Sequence, residues 1–117
     1  MFTITKEFTF DASHQLVGLD PAHPCMNLHG HTYKVIVELK APKLTKEGMV
    51  VDYHELKPIK DFLDKEYDHK HLNDALQMNP TAEIIANVVF EKFKPLFPQL
   101  SAVIVKETEN TSARYEK

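Results

Sequence analysis

His29 and His31 stand two residues apart in the stretch Cys25-Met-Asn-Leu-His-Gly-His31, directly before the strand-like Tyr33-Lys-Val-Ile-Val-Glu-Leu39. Side chains alternate faces along a strand, so residues i and i+2 point the same way. Both imidazoles therefore share a face, with Cα atoms about 6–7 Å apart. Gly30 between them carries no side chain, which leaves room on the opposite face for a backbone or a ligand. Two co-facial imidazoles are two thirds of a three-histidine zinc site of the catalytic kind, in which one coordination position stays open. Cys25, just upstream, is a candidate nucleophile or base. The same pair also reads as two polar residues on an exposed strand face, and a third ligand decides between the readings.

A third imidazole is available from the start of the chain. Phe2, Ile4, Phe8, Phe10 and Ala12 share a parity that would line one buried face, and His14 ends the series. His14 is either a polar strand-end residue or, if this strand lies antiparallel to the one carrying His29 and His31, the missing ligand. The connecting loop, Gln15 to Leu28, contains Gly18, Pro21 and Pro24, which break regular structure. It carries Cys25, whose Pro-flanked polar setting favours a partly exposed thiol over a buried one, and His23, read as solvated. Asp68 and His69 are adjacent. In a strand they would face opposite ways, whereas a turn or helix end lets both address a third group.

The elements that must position these residues follow from the same pattern. The second strand runs from about His31 to Lys40 and ends before Pro42. Asp52 is a helix N-cap, with Glu55 completing a capping-box pattern, and Leu56, Ile59, Phe62 and Leu63 recur at helical spacing. Pro58 falls in the first turn, where it is tolerated. Tyr67 to Asn73 reads as irregular. Asn79-Pro-Thr-Ala-Glu83 opens a second helix whose apolar stripe runs from Ile84 to Phe97. Glu83 there is explained by the helix dipole alone. Leu100–Thr108 is a third strand, Glu109 to Ser112 a turn, and Ala113–Glu116 a last strand. The order is strand, strand, helix, helix, strand, strand, an α+β plan with no internal repeat.

The chain has 117 residues, 43% hydrophobic and 26% charged, with a formal net charge of −3 and one cysteine. That length suits one domain spanning 1–117 with one modest core. The acidic balance gives no reason to expect a nucleic acid or a membrane surface as partner. A single cysteine forms no internal disulfide, and a reducing cytoplasmic setting fits. No apolar run approaches the ~20 residues that span a bilayer, and the first residues lack the apolar segment of a signal peptide.

Five motifs, in this order, resemble the 6-pyruvoyltetrahydropterin and 6-carboxytetrahydropterin synthase family. They are Phe10-Asp-Ala-Ser-His14, Cys25-x3-His29-Gly-His31, Asp68-His69 with Leu72-Asn73, Pro80-Thr-x-Glu83, and Val105-Lys-Glu107-Thr. The resemblance covers essentially the whole chain. It implies the tunnelling fold, a ββααββ unit with an antiparallel four-stranded sheet, several of which close into a barrel. The implied assembly is a homo-oligomer, a hexamer built as a dimer of trimers. It also implies zinc held by His14, His29 and His31, a catalytic thiol at Cys25, and a relay through Asp68 and His69 supplied by a neighbouring subunit. Glu107 matches a second acidic active-site residue, and Glu83, with Thr81 beside it, matches the pterin anchor. His71 is an alternative to His69.

The implied substrate is 7,8-dihydroneopterin triphosphate. A short chain with the cysteine three residues before His-Gly-His resembles the bacterial branch, which yields 6-carboxytetrahydropterin, acetaldehyde and triphosphate in queuosine biosynthesis. The animal branch yields 6-pyruvoyltetrahydropterin. A non-catalytic zinc- and pterin-binding oligomer would need neither Cys25 nor the Asp68–His69 pair, and an aldolase-like activity is disfavoured by retention of Cys25. Lys34, Lys106 and Arg114 are equal candidates for the triphosphate.

Overall fold

A computed structural model of the chain describes residues 1–117. Strands β1 (Phe2–His14) and β2 (His29–Ala41) pair antiparallel along their whole length, from Phe2 opposite Ala41 to His14 opposite His29. The sequence alternation makes this ladder one-sided. Phe8, Phe10, Ala12 and His14 of β1 and Tyr33, Val35, Val37 and Leu39 of β2 are buried, while their sequence neighbours are exposed or half-buried. A slip of one residue would turn that whole set to the other face, so the register is strongly specified.

The helices follow from local signals. Asp52 accepts a hydrogen bond from the His54 amide (2.9 Å) and caps a 3-10 turn, Tyr53–Leu56. Helix α1 (Lys57–Glu66) begins after it, with Pro58 in the first turn where no intrahelical N–H is needed. After a two-residue strand β3 (Lys70–His71) comes the five-residue helix α2 (Leu72–Leu76). Helix α3 (Ala82–Phe93) is capped by Thr81, whose hydroxyl accepts from the Ile84 amide at 3.2 Å. Strands β4 (Leu100–Thr108) and β5 (Thr111–Glu116) close the chain.

The sheet order is β3-β1-β2-β4-β5. The expected antiparallel four-stranded unit is present as β1, β2, β4 and β5. The segment read as irregular corrects that expectation. Lys70 and His71 run parallel to Ala12 and Ser13 as a fifth strand, followed by α2. Two residues carry no readable alternation, and the strand is entered through His69 at φ 59°, a left-handed conformation that propensity does not announce. The second strand also starts earlier than expected, so that both His29 and His31 lie inside it.

Helices α1 and α3 cover one face of the sheet. Leu56, Ile59 and Leu63 from one side and Ile85, Val89, Phe90 and Phe93 from the other join Val35, Val37, Val103 and Val105 in one core. The other face is mixed: Thr5, Glu7 and Thr9 are exposed, while Lys34 and Glu38 and the paired Ile36 and Ile104 are half-buried. The outer edge of β5 and the edge of the Phe2–Phe10 stretch of β1 that faces away from β2 have no strand partner. No helix is long and apolar enough to cross a membrane.

Leu63 is completely buried, so Leu63→Ala is expected to cost about 2–5 kcal/mol in denaturant unfolding. A loss below about 1 kcal/mol would show that α1 is not part of this core.

Candidate metal centre and its surroundings

The antiparallel register sets His14 directly opposite His29 and Ala12 opposite His31. Three imidazoles therefore meet at one end of the sheet, on the core face, with one ring nitrogen from each lying within 4.8 Å of the others. His14 is 1% exposed and His29 and His31 are half-buried. The third imidazole that the sequence left open thus joins the other two.

Tautomers decide what this group can hold. His14 Nδ1 lies 2.9 Å from the Pro80 carbonyl, and His29 Nδ1 lies 2.7 Å from the Asn27 carbonyl. Carbonyls only accept, so in the neutral rings each Nδ1 carries the proton and each Nε2 carries a bare lone pair. Those two Nε2 atoms face each other at 2.8 Å. Two lone pairs at that distance repel, and a cation between them turns the repulsion into ligation. A backbone carbonyl behind each ring is also the usual way to orient a metal-ligating histidine. The donor set fits a metal ion.

Burial pushes the His31 imidazole below its ordinary 6.5; Glu107 opposes that shift, and His14 and His29 add to it. His31 therefore stays neutral to lower pH than a free imidazole. Tyr33, fully buried and stacked on Phe10, brings its hydroxyl to 3.1 Å from His14 Nδ1. Burial first, and Glu107 second, raise its ionisation far above the usual phenol range, so it stays protonated.

Glu107 Oε2 is 3.9 Å from His31 Nε2. The same carboxylate lines a cavity of about 440 Å³ together with Glu83, Ser112 and Arg114, between the start of α3 and strands β4 and β5. The two acids that the sequence singled out separately are thus brought to one cavity at the rim of the histidine group. Thr81 has a local task, since its hydroxyl oxygen caps α3.

Cys25 is a free, partly exposed thiol on a 3-10 turn, Pro24–Met26. His23, read from the sequence as solvated, caps that turn by accepting the Cys25 amide on Nδ1 at 3.1 Å. A polar side chain directly before a turn opened by Pro24 was the available signal.

Asp68 and His69 do pair, with Nδ1 to Oδ2 at 2.9 Å, because the left-handed backbone at His69 folds the ring back towards its neighbour. Asp68 also accepts the Asp11 backbone N–H at 2.9 Å, and that bond first, then the His69 bond, holds its carboxyl below the ordinary value. His71 is engaged elsewhere, at 2.9 Å from Ser13 Oγ. His69 and His71 line a cavity of about 610 Å³ with Asp11, Ser13, Gly30 and Thr32, and His31 touches its rim. Those four residues alternate with the histidine ligand candidates along β1 and β2, so within one chain the pair sits on the side of the sheet away from the His14–His29 contact. Gly30 leaves this side open.

The sequence profile of the 6-pyruvoyl tetrahydropterin synthase family matches residues 3–117. The chain is 40% identical over 124 residues to a 6-carboxy-5,6,7,8-tetrahydropterin synthase of Synechocystis, covering 98% of this chain and 93% of that protein. It is 33% identical to the protein of the same name from Haemophilus influenzae, with both chains fully covered. Among solved structures, the 6-pyruvoyl tetrahydropterin synthase of Caenorhabditis elegans superposes with a TM-score of 0.86 at 27% identity, covering 99% of this chain and 95% of that one.

The Asp68 contacts generate a pH signature. Its folded carboxyl lies below the unfolded value of about 3.9, so its stabilisation is complete above that value and is lost as pH falls through the folded one. The difference in thermal midpoint between the protein and Asp68→Ala is expected to be flat above about pH 5 and to shrink below about pH 4. A difference that stays constant down to about pH 3 would remove the Asp11 and His69 bonds as its cause.

Proposed function

The chain belongs to the 6-pyruvoyl tetrahydropterin synthase family, and from that premise we propose that it is a 6-carboxy-5,6,7,8-tetrahydropterin synthase. It converts 7,8-dihydroneopterin triphosphate and one water to 6-carboxytetrahydropterin, acetaldehyde and triphosphate, a step of queuosine biosynthesis. One observation carries the reading: a three-imidazole group with opposed lone pairs stands 3.9 Å from Glu107, whose cavity also holds Glu83. Binding ion and pterin side by side is what this chemistry requires.

His14, His29 and His31 hold the metal, and three nitrogen donors with an open position suit zinc. When bound, zinc supplies a Lewis acid that polarises the oxygens of the substrate side chain. Glu83 and Glu107 bind the pterin, since a carboxylate accepts two parallel hydrogen bonds from the 2-amino group and a ring N–H. Thr81 helps to place that anchor by fixing the first turn of α3. Cys25 takes a proton from the side-chain carbon, and His69, held by Asp68, passes it on. Triphosphate leaves by elimination. Cytoplasmic reducing conditions keep the thiol available.

The relay pair is supplied by a neighbouring subunit. Support comes from its place on the far side of the sheet from the His14–His29 contact and from the free edges of β1 and β5, which a barrel of several copies would pair. The proposed assembly is a hexamer, a dimer of trimers.

A second reading, 6-pyruvoyltetrahydropterin formation with the side-chain carbons retained, draws on the similarity to the nematode structure. Mass-spectrometric analysis of products from the zinc-loaded protein and 7,8-dihydroneopterin triphosphate separates the two. A 6-carboxypterin with acetaldehyde is expected. A pyruvoyl product would select the second reading, and no product from zinc-replete oligomer would leave a pterin-binding protein.

Cys25→Ala is expected to lower kcat by roughly 10²–10⁴-fold with zinc content unchanged. His14→Ala is expected to lose zinc, and full zinc stoichiometry in His14, His29 and His31 variants alike would overturn the ligand assignment. Inactive Cys25→Ala and His69→Ala chains, refolded together, are expected to regain activity, and verified mixed oligomers without recovery would place the relay within one subunit.

A further inference from the structure

Between His14 and the turn that carries Cys25 the chain runs Gln15-Leu-Val17, with no strand beside it. Two asparagines take the place of that strand. Asn73 Oδ1 accepts the Gln15 backbone N–H at 2.9 Å, and its Nδ2 donates to the Gln15 carbonyl at 2.6 Å. Asn79 does the same to Val17, at 2.8 and 3.0 Å. A primary amide presents the same acceptor and donor pair as a peptide group, so each side chain supplies one rung of a ladder. Ser13 and His71 form the rung before them, side chain to side chain.

The opposite edge of the same three residues carries the thiol turn. Leu16 N–H donates to the Cys25 carbonyl at 2.8 Å, and the Gln15 side-chain amide donates to the Met26 carbonyl at 2.6 Å. Successive N–H groups of an extended chain point to opposite edges. Gln15 and Val17 therefore face the asparagines while Leu16, between them, faces Cys25. The path of the loop back to the sheet passes through these bonds.

We propose that Asn73 and Asn79 are positioning residues for the Cys25 thiol, forming a side-chain-built strand that holds Gln15–Val17 extended so that the Cys25 turn docks on its far edge. The role in catalysis rests on the reading of Cys25 as the proton-transferring group; the docking does not. Asparagine is required because aspartate keeps the acceptor but sets a carboxylate oxygen against the Gln15 or Val17 carbonyl.

The test uses Asn73→Asp and Asn79→Ala in the full oligomeric protein. Hydrogen exchange is read at the Leu16 amide, which bonds Cys25 and neither asparagine. Alkylation by iodoacetamide is read as well, and reports one site because Cys25 is the only cysteine. Leu16 exchange is expected to rise about tenfold while β2 and α3 amides keep their protection. Alkylation is expected to speed up about threefold as the turn loosens. With substrate, kcat is expected to fall about tenfold at nearly constant KM and unchanged zinc content. Unchanged Leu16 exchange and unchanged alkylation in the variants would overturn the proposal and leave the asparagines as staples of a surface loop. Asn79 lies near the surface, so Asn79→Ala carries the test if Asn73→Asp does not fold. If the unmodified protein shows no turnover, the functional reading fails while exchange and alkylation still decide the docking.

Discussion

Everything at the candidate site depends on the fixed orientation of one buried imidazole, that of His14. Its Nδ1 is held by the Pro80 carbonyl, with the Tyr33 hydroxyl beside it, and its Nε2 is aimed at His29. Leaving such a group unsatisfied would cost about 1–3 kcal/mol, so the three elements that supply its partners must agree. β1 has to end where it does, β2 has to carry Tyr33 and His29 on the same face, and the chain before α3 has to bring Pro80 to the end of β1. Core and site are therefore one object: the register that buries Phe10 and Val35 is the register that assembles the histidines.

That coupling explains how much was legible in the sequence. Alternation along Phe2–His14 and His31–Lys40 marks the two strands, and with them an inward position for His14 and a common face for His29 and His31. What it could not give was the pairing, because period-2 patterning specifies a face and leaves the partner register open. The helices were marked by Asp52, Pro58 and the Asn79-Pro80-Thr81 start, each acting through a backbone group at a helix start. The stretch from Tyr67 to Asn73 was unreadable for a different reason. Its conformation is imposed by tertiary bonds, His69 N–H to the Asp11 carbonyl at 2.6 Å and Asp68 to the Asp11 amide, and not by propensity. His23 reads as solvated, Asn73 only as part of a motif and Asn79 only as part of a helix start, because their work is hydrogen bonding to main chain far off in sequence or on a loop, which leaves no periodic trace.

The two sides of the sheet divide the chemistry. On the core side lie the imidazole group and the carboxylates; on the other lie Asp68, His69 and His71 around Gly30. A single chain of this size has too few layers to enclose a substrate between such groups. A sheet covered by helices on one face only, with two unpaired edges, is a structure that gains by meeting copies of itself. The edges and the divided groups thus make the same demand on assembly.

Charge orients what the cavity by α3 accepts. It contains two carboxylates, Glu83 and Glu107, and one cation, Arg114, which is already bound to Glu38 and Glu116. Lys34, a second cation considered for phosphates, stands 3.3 Å from Glu109. A polyanion is repelled from such a cavity, whereas a flat heterocycle rich in N–H donors is matched by it. Tyr33 adds no further negative charge, because burial keeps its hydroxyl protonated. Under the proposed function, a pterin triphosphate would therefore enter ring first, with its phosphates outward. The carboxylates set that direction, because Arg114 and Lys34 are already ion-paired and Lys106, which has no acidic partner, sits opposite Lys34 on the face of the sheet away from the core.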